Sequence, residues 1–297
     1  MSSFTISEDL RGVLEDVVKE PKQRVFAGTC LQLAAKGFDE VGDLTLTTRT
    51  GLSSAERHLL RVHKEELARA LLFGFYYNFF AEGGPGRRLN LIGQSEADSS
   101  WRRNAEFARN NALPEAFAPG SATWLHRLLK GQSLRTTQEY HELAVAAERL
   151  TGSVSARLYR GLNYEVFGRV GRARSIYEDV WRYGKPSDQR AALQQLSAIQ
   201  VNEGRKDVGF ASELQALSLS LRLSHEGWTG VHIARALVLA ESSSFLSSAE
   251  QDDLVSLARE DEKVIATSLH EIAETHSSQP EWQAIACRIL DRFDAAV

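Results

Sequence analysis

Apolar residues recur along this chain at steps of three and four, and no run alternates cleanly enough between apolar and polar to make a strand. The pattern predicts an all-α protein. Ala, Leu, Arg, Glu and Gln dominate between the breaks, and these favour helix where packing does not decide. Prolines at 21, 85, 114, 119, 186 and 280 stand between periodic segments, where a ring that fixes φ and removes an N–H donor starts or stops a helix. Thr136-Thr137-Gln138-Glu139 has the capping-box pattern and opens a helix expected to end near Gly152.

The stretch from Ala68 to Ala81 crowds Leu71, Leu72, Phe73, Phe75, Tyr76, Tyr77, Phe79 and Phe80 onto one helix. Such a helix is apolar nearly all round and has to be covered on most sides. Its rings serve either as ordinary core or as walls of a ligand or partner pocket, with Phe75, Tyr76 and Phe79 as the candidates. The stretch is too short to cross a bilayer, so no membrane association is expected. Next comes Gly83-Gly84-Pro85-Gly86-Arg87-Arg88, which cannot sit inside a helix. The chain therefore divides into an N-terminal module at 1–82, a linker with short helices at 83–120, and a C-terminal helical domain at 121–297.

Composition narrows the function classes. Across 297 residues, 35 basic side chains face 39 acidic ones, a net charge of −4. No field of one sign pulls the whole chain onto nucleic acid, so any such binding needs a local basic face. Cys30 and Cys287 lie far apart in apolar helical patterns, which predicts a packing role in a reducing compartment. The acidic, amphipathic start lacks the basic end and apolar centre of a secretory leader, and a cytoplasmic location is expected.

Catalytic patterns are missing. His270 and His276 frame a stretch like a metalloprotease helix, but six residues place them about 240° apart around it, where they cannot share an ion. His141-Glu142 has Val145 where a second ligand would stand. The glycines near 83 follow no strand and precede no Gly-Lys-Ser/Thr, so they make no phosphate loop. Neither a nucleophile elbow nor a nucleotide fingerprint occurs. A protein that is not an enzyme, without cofactor or metal, is expected.

The segment 24–67 carries the most specific pattern. A helix containing Val25, Phe26, Cys30, Leu31 and Leu33 stops at Gly37, a second segment spans Leu44 to Thr50 and meets Gly51, and a third begins after Ser53, an N-cap residue. Two short helices joined by a tight glycine-containing turn are the skeleton of a helix-turn-helix. The stretch resembles the DNA-binding domain of TetR-family transcriptional regulators without a gap. Arg24-Val25-Phe26, Ala35-Lys36-Gly37-Phe38-Asp39-Glu40-Val41, Arg49-Thr50-Gly51-Leu52-Ser53 and Lys64-Glu65-Glu66-Leu67 fall at the family's spacings. Leu46-Thr47 and Thr50 depart from its usual residues. So does Glu56-Arg57-His58-Leu59-Leu60-Arg61, where the family's recognition helix stands, with the apolar face moved to Leu59, Leu60 and Val62.

From Lys22 to Lys64 seven basic residues face four acidic ones, a local balance opposite to that of the chain. Arg57 and Arg61, four apart, project from one helical face, and Thr47, Thr48 and Ser53 can donate to phosphate oxygens. The candidate DNA-binding residues are Thr47, Thr48, Arg49, Ser53, Arg57, His58, Arg61 and Lys64. The bland alternative is a solvated charged face. The resemblance implies double-stranded DNA as partner, a two-fold homodimer and an effector.

Further on, Gly161, Tyr164, Gly168, Ala173 and Tyr177 fall at the spacings of a tetratricopeptide repeat, and Gly204 follows Gly168 by 36 residues. Leu193, Leu196 and Ser197 continue the pattern, whereas Gly209 and Glu213 interrupt it. The segment resembles a tetratricopeptide-like array, whose stacked helical pairs present a concave surface to a peptide, protein or small-molecule effector. Tyr164 and Tyr177 join the candidate pocket residues on this reading. The leading expectation is a transcriptional regulator with a TetR-like helix-turn-helix and a sensing domain. The alternative is a non-enzymatic adaptor with a degenerate helix-turn-helix and a tetratricopeptide-like scaffold.

Overall fold

The computed structural model describes residues 53–62, 64, 67–68, 71–72, 75, 79, 86, 127, 134, 137–224, 226–257, 262–275 and 280–294. Among them no strand occurs, and the fold is all-α as the periodicity predicts. Thr47, Thr48, Arg49, the turn at Gly51, Cys30 and Tyr76 lie outside the described residues, as does the linker 83–120 apart from Gly86. The described residues fall into two compact units, divided in the chain between Gly168 and Arg169.

The first unit contains α1 (Ser54–Val62), α2 (Thr137–Thr151), a 3-10 turn (Val154–Ala156) and α3 (Arg157–Val166). Helix α2 begins and ends where the sequence predicts, with Gly152 at φ 60° accepting the reversal that an L side chain resists. Every position from 139 to 147 is buried, so the helix is covered nearly all round, with Leu143, Ala144 and Ala147 fully inaccessible. Leu67, Leu71, Phe75 and Phe79, four apart, are helical and fully buried. The Phe75 and Phe79 rings stack at 4.7 Å, and each meets Tyr140 edge-on at 5.5 and 5.4 Å. Tyr159 of α3 closes the group at 5.5 Å from Phe75. Burying each of these side chains contributes about 1.5–3 kcal/mol.

The second unit is a succession of packed helices: α4 (Val170–Tyr183), α5 (Pro186–Asn202), α6 (Lys206–Arg222), α7 (Glu226–Ser243), α8 (Ser248–Ser256), α9 (Glu262–Thr275) and α10 (Pro280–Asp294). Pro186 and Pro280 open α5 and α10, where a missing N–H costs nothing. Each of α4, α5 and α6 packs on the helix that follows it, and α7 also touches α8, α9 and α10. The connections are short, so consecutive packed helices run antiparallel.

The glycine period has a backbone counterpart. Gly168 and Gly204 take φ of 73° and 80°, each following a helix and each preceding an arginine that leads into the next. Ser224 and Ser244 adopt the same left-handed turn at φ 52° and 53°, after α6 and α7. The core of this unit gathers around α7, where Ile233, Ala234, Ala236, Leu237, Val238, Leu239 and Ala240 are all fully buried.

Cys287 departs from its expected packing role. It is exposed and free, because α10 turns Trp282, Ile285, Ala286 and Ile289 inward and leaves 287 and 288 on the opposite side.

Candidate functional site

The predicted DNA-contacting face is described in its C-terminal half. Ser53 caps α1: its hydroxyl accepts from the Glu56 amide at 3.2 Å, and its own amide donates to Glu56 Oε2 at 2.7 Å. That reciprocal pair satisfies two donors that a helix start otherwise leaves unpaired. His58, Arg61 and Lys64 are exposed, and Arg57 is half-buried, donating from Nη2 to Ser54 Oγ at 3.3 Å. Residues 57, 61 and 64 recur at steps of four and three, so three cationic side chains share one face. Val62, expected on the apolar face, is 57% exposed at the end of the helix.

Of the rings nominated for a pocket, Phe75 and Phe79 are sealed in the aromatic core of the first unit, with no exposed surface. Tyr177 is likewise fully buried, in the second unit. Tyr164 is different: half-buried on α3, it lines a cavity of about 430 Å³.

That cavity is built by the end of α2, the 3-10 turn and the start of α3, with His141, Glu148, Arg149, Arg157, Arg160 and Tyr164 as its polar walls and Val145 as an apolar one. Glu148 organises it. One carboxylate oxygen accepts from Arg157 Nε at 2.9 Å, and the other pairs with Arg160 Nη1 at 2.9 Å. The His141 imidazole meets the Tyr164 ring edge-on, with centroids 5.7 Å apart. Burial, and after it the Arg160 charge, lowers the His141 pKa to about 4, so the imidazole is neutral at pH 7.

The second unit holds a buried polar network that the periodicity does not reveal. Arg190 and Gln194 from α5, Glu213 from α6, and His232 and Arg235 from α7 are all nearly or fully inaccessible. Arg190 Nη1 lies 3.1 Å from His232 Nε2, and His232 Nδ1 lies 2.5 Å from Glu213 Oε1. A guanidinium only donates and a carboxylate only accepts, so Nε2 must be the bare nitrogen and Nδ1 must carry the proton. His232 is thus a neutral imidazole bridging a cation to an anion. Its pKa is lowered, first by burial, which outweighs the raising effect of Glu213. For Glu213, burial raises the pKa, but Arg235 and His232 together outweigh it and the net shift is downward. Arg235 Nε completes the network as an ion pair with Glu213 at 3.0 Å, and the Arg190 guanidinium lies 3.9 Å from the centre of the Trp228 ring. The network ties three helices together.

No family model, curated protein or solved structure matches the chain.

Glu213 and Gly209 carry a signal in the sequence, since they interrupt the repeat pattern. Gly209 lets α6 approach α5 closely, and Glu213 is the acceptor at the centre of the network. Arg157 and Arg160 of α3 pair with Glu148 of α2.

Proposed function

We propose that the chain is a transcriptional regulator that binds operator DNA through the helix-turn-helix ending in α1, with the C-terminal helices as its effector- or partner-binding part. The observation that carries this reading is a short, capped helix presenting Arg57, His58 and Arg61 to solvent or close to it, with the exposed Lys64 just beyond its end. It stands at the third-helix position of the blocks that resemble TetR-family regulators. The helix dipole and the cationic side chains both favour phosphate contact. A two-fold dimer supplies the second such face, and the net −4 chain needs it for useful affinity.

The test is a gel-shift titration of the purified chain against its own upstream region at moderate salt. Specific retardation over random DNA is expected, and Arg57→Ala with Arg61→Ala should abolish it. Replacing either arginine singly should lower the slope of log affinity against log salt by about one for each phosphate it no longer neutralises. Retardation equal to that on random DNA overturns the reading.

A second reading, a protein–protein adaptor, is favoured by the exposed Val62 beside the basic face. Under it the arginine substitutions leave function unchanged.

A further inference from the structure

The two ring nitrogens of His232 are committed to different helices. Nδ1 donates to Glu213 of α6 at 2.5 Å, and Nε2 accepts from Arg190 of α5 at 3.1 Å. The ring itself belongs to α7 and has no exposed surface. The charged groups that act on it are Arg190 from α5, Glu213 from α6 and Arg235 from its own helix. Among the described residues, α8, α9 and α10 pack on α7 without adding a charge that acts on this ring.

The two bonds respond oppositely to acid. Nδ1 already carries a proton, so a second one can enter only at Nε2. The bond to Glu213 then remains and gains a charge, which strengthens it. The bond to Arg190 is lost, because two cationic donors face one another across 3.1 Å. The tie from α7 to α6 therefore survives protonation, and this tie from α7 to α5 does not. Arg235 keeps a second tie to α5, from Nη2 to the Gln194 carbonyl at 3.3 Å. The parting is thus confined to the turns around Arg190 and Trp228, whose ring the Arg190 guanidinium covers at 3.9 Å. While these turns are closed, burial disfavours the charged imidazole; once they part, water reaches the ring and it titrates normally. Acid accordingly selects the parted state.

We propose that His232 is an acid-released catch between α5 and α7: a proton on Nε2 drives Arg190 off and uncovers Trp228, while Glu213 keeps the ring on α6. The catch lies within the second unit and does not depend on what α1 binds.

The experiment follows acrylamide quenching of tryptophan fluorescence in the full chain as pH is lowered from neutral, with circular dichroism recorded on the same samples. Quenching should rise in a reversible one-proton step, spread over about two pH units, with its midpoint below 6.5. Helical dichroism should hold throughout that step. Trp228→Phe should remove the step from the signal, which locates it at the catch. His232→Gln should also remove it, since an amide can donate to Glu213 and accept from Arg190 but does not titrate. Quenching that stays flat until the helices melt overturns the proposal, as does a step that coincides with loss of helix. A step that survives in either folded variant overturns it too. Should His232→Gln fail to fold, the wild-type chain and Trp228→Phe decide between these outcomes.

Discussion

His141 lies beneath the α2–α3 cavity with 5% of its surface exposed, and its imidazole is held at a pKa of about 4 against an ordinary 6.5. The unfolded chain takes up a proton there as pH falls below 6.5, while the folded chain refuses it until about 4. Stability from this group is therefore complete above 6.5 and is lost progressively down to about 4. At about 1.4 kcal/mol per pKa unit, the loss is on the order of 3 kcal/mol. Glu213 behaves differently: its folded pKa is depressed, so its contribution is present above its unfolded value and falls only in more acid solution. We predict that His141→Gln makes the stability profile less steep between pH 6.5 and 4, leaving the part of the slope that His232, also lowered by burial, contributes there and the more acid limb in place. Urea denaturation at a series of pH values measures this, and parallel profiles for the two proteins would refute it. The same residue illustrates what a linear pattern hides. His141-Glu142 reads in the sequence only as half of a metal motif, because spacing along a helix carries no record of the Arg160 side chain that faces it.

At the scale of helices, Gly209 shows how closely α5 and α6 approach. A Cβ placed there would stand 2.5 Å from Val201 Cγ2 and 3.1 Å from the Ser197 carbonyl oxygen. Alanine is otherwise the better helix former by up to about 1 kcal/mol. The clash decides the sign, and Gly209→Ala should destabilise by about 1–3 kcal/mol, with Val201→Ala recovering part of the loss. Gly171 on α4 is the control, since nothing lies within 4 Å of the corresponding atom, and Gly171→Ala should be neutral to stabilising. Thermal melts of the three variants check both signs, and a stabilised Gly209→Ala would show that the helices can part. Helix ends were legible in the sequence for a chemical reason: Pro186, Pro280, Gly152, Gly168 and Gly204 impose local backbone conditions that no distant partner can override. The expectation for Cys287 failed because an apolar neighbourhood in sequence does not fix which side of α10 turns inward. The Glu213–His232–Arg190 network was illegible for a related reason. Its members come from α5, α6 and α7; Glu213 and His232 look like isolated polar residues among apolar ones, and Arg190 looks like one more polar residue in the first turns of α5. Only the mismatch of Glu213 with the repeat pattern points towards it.

Within the second unit, the helices depend on one another unequally. Helices α4 and α5 bury their faces against immediate neighbours, the local arrangement typical of stacked pairs. Helix α7 instead is enclosed by α6, α8, α9 and α10, and seven of its apolar side chains have no exposure at all. Ile265, Leu269 and Ile272 of α9, and Trp282, Ile285 and Ile289 of α10, belong to the same apolar cluster. Ending the chain at Leu257 removes all six and uncovers α7 over a contiguous apolar surface, of a size that soluble monomers seldom expose. Such a chain should keep helical circular dichroism from α4 and α5, whose neighbours remain, while binding a hydrophobic dye and running as aggregate on gel filtration. If stacking alone sustained the unit, the truncated chain would stay monodisperse and lose only the share of helix it lacks. The prediction follows from where the apolar cover of α7 resides: much of it is supplied by residues that come later in the chain than α7 itself. Repeat-like local packing holds the first helices of the unit, and closure by the last two holds the centre.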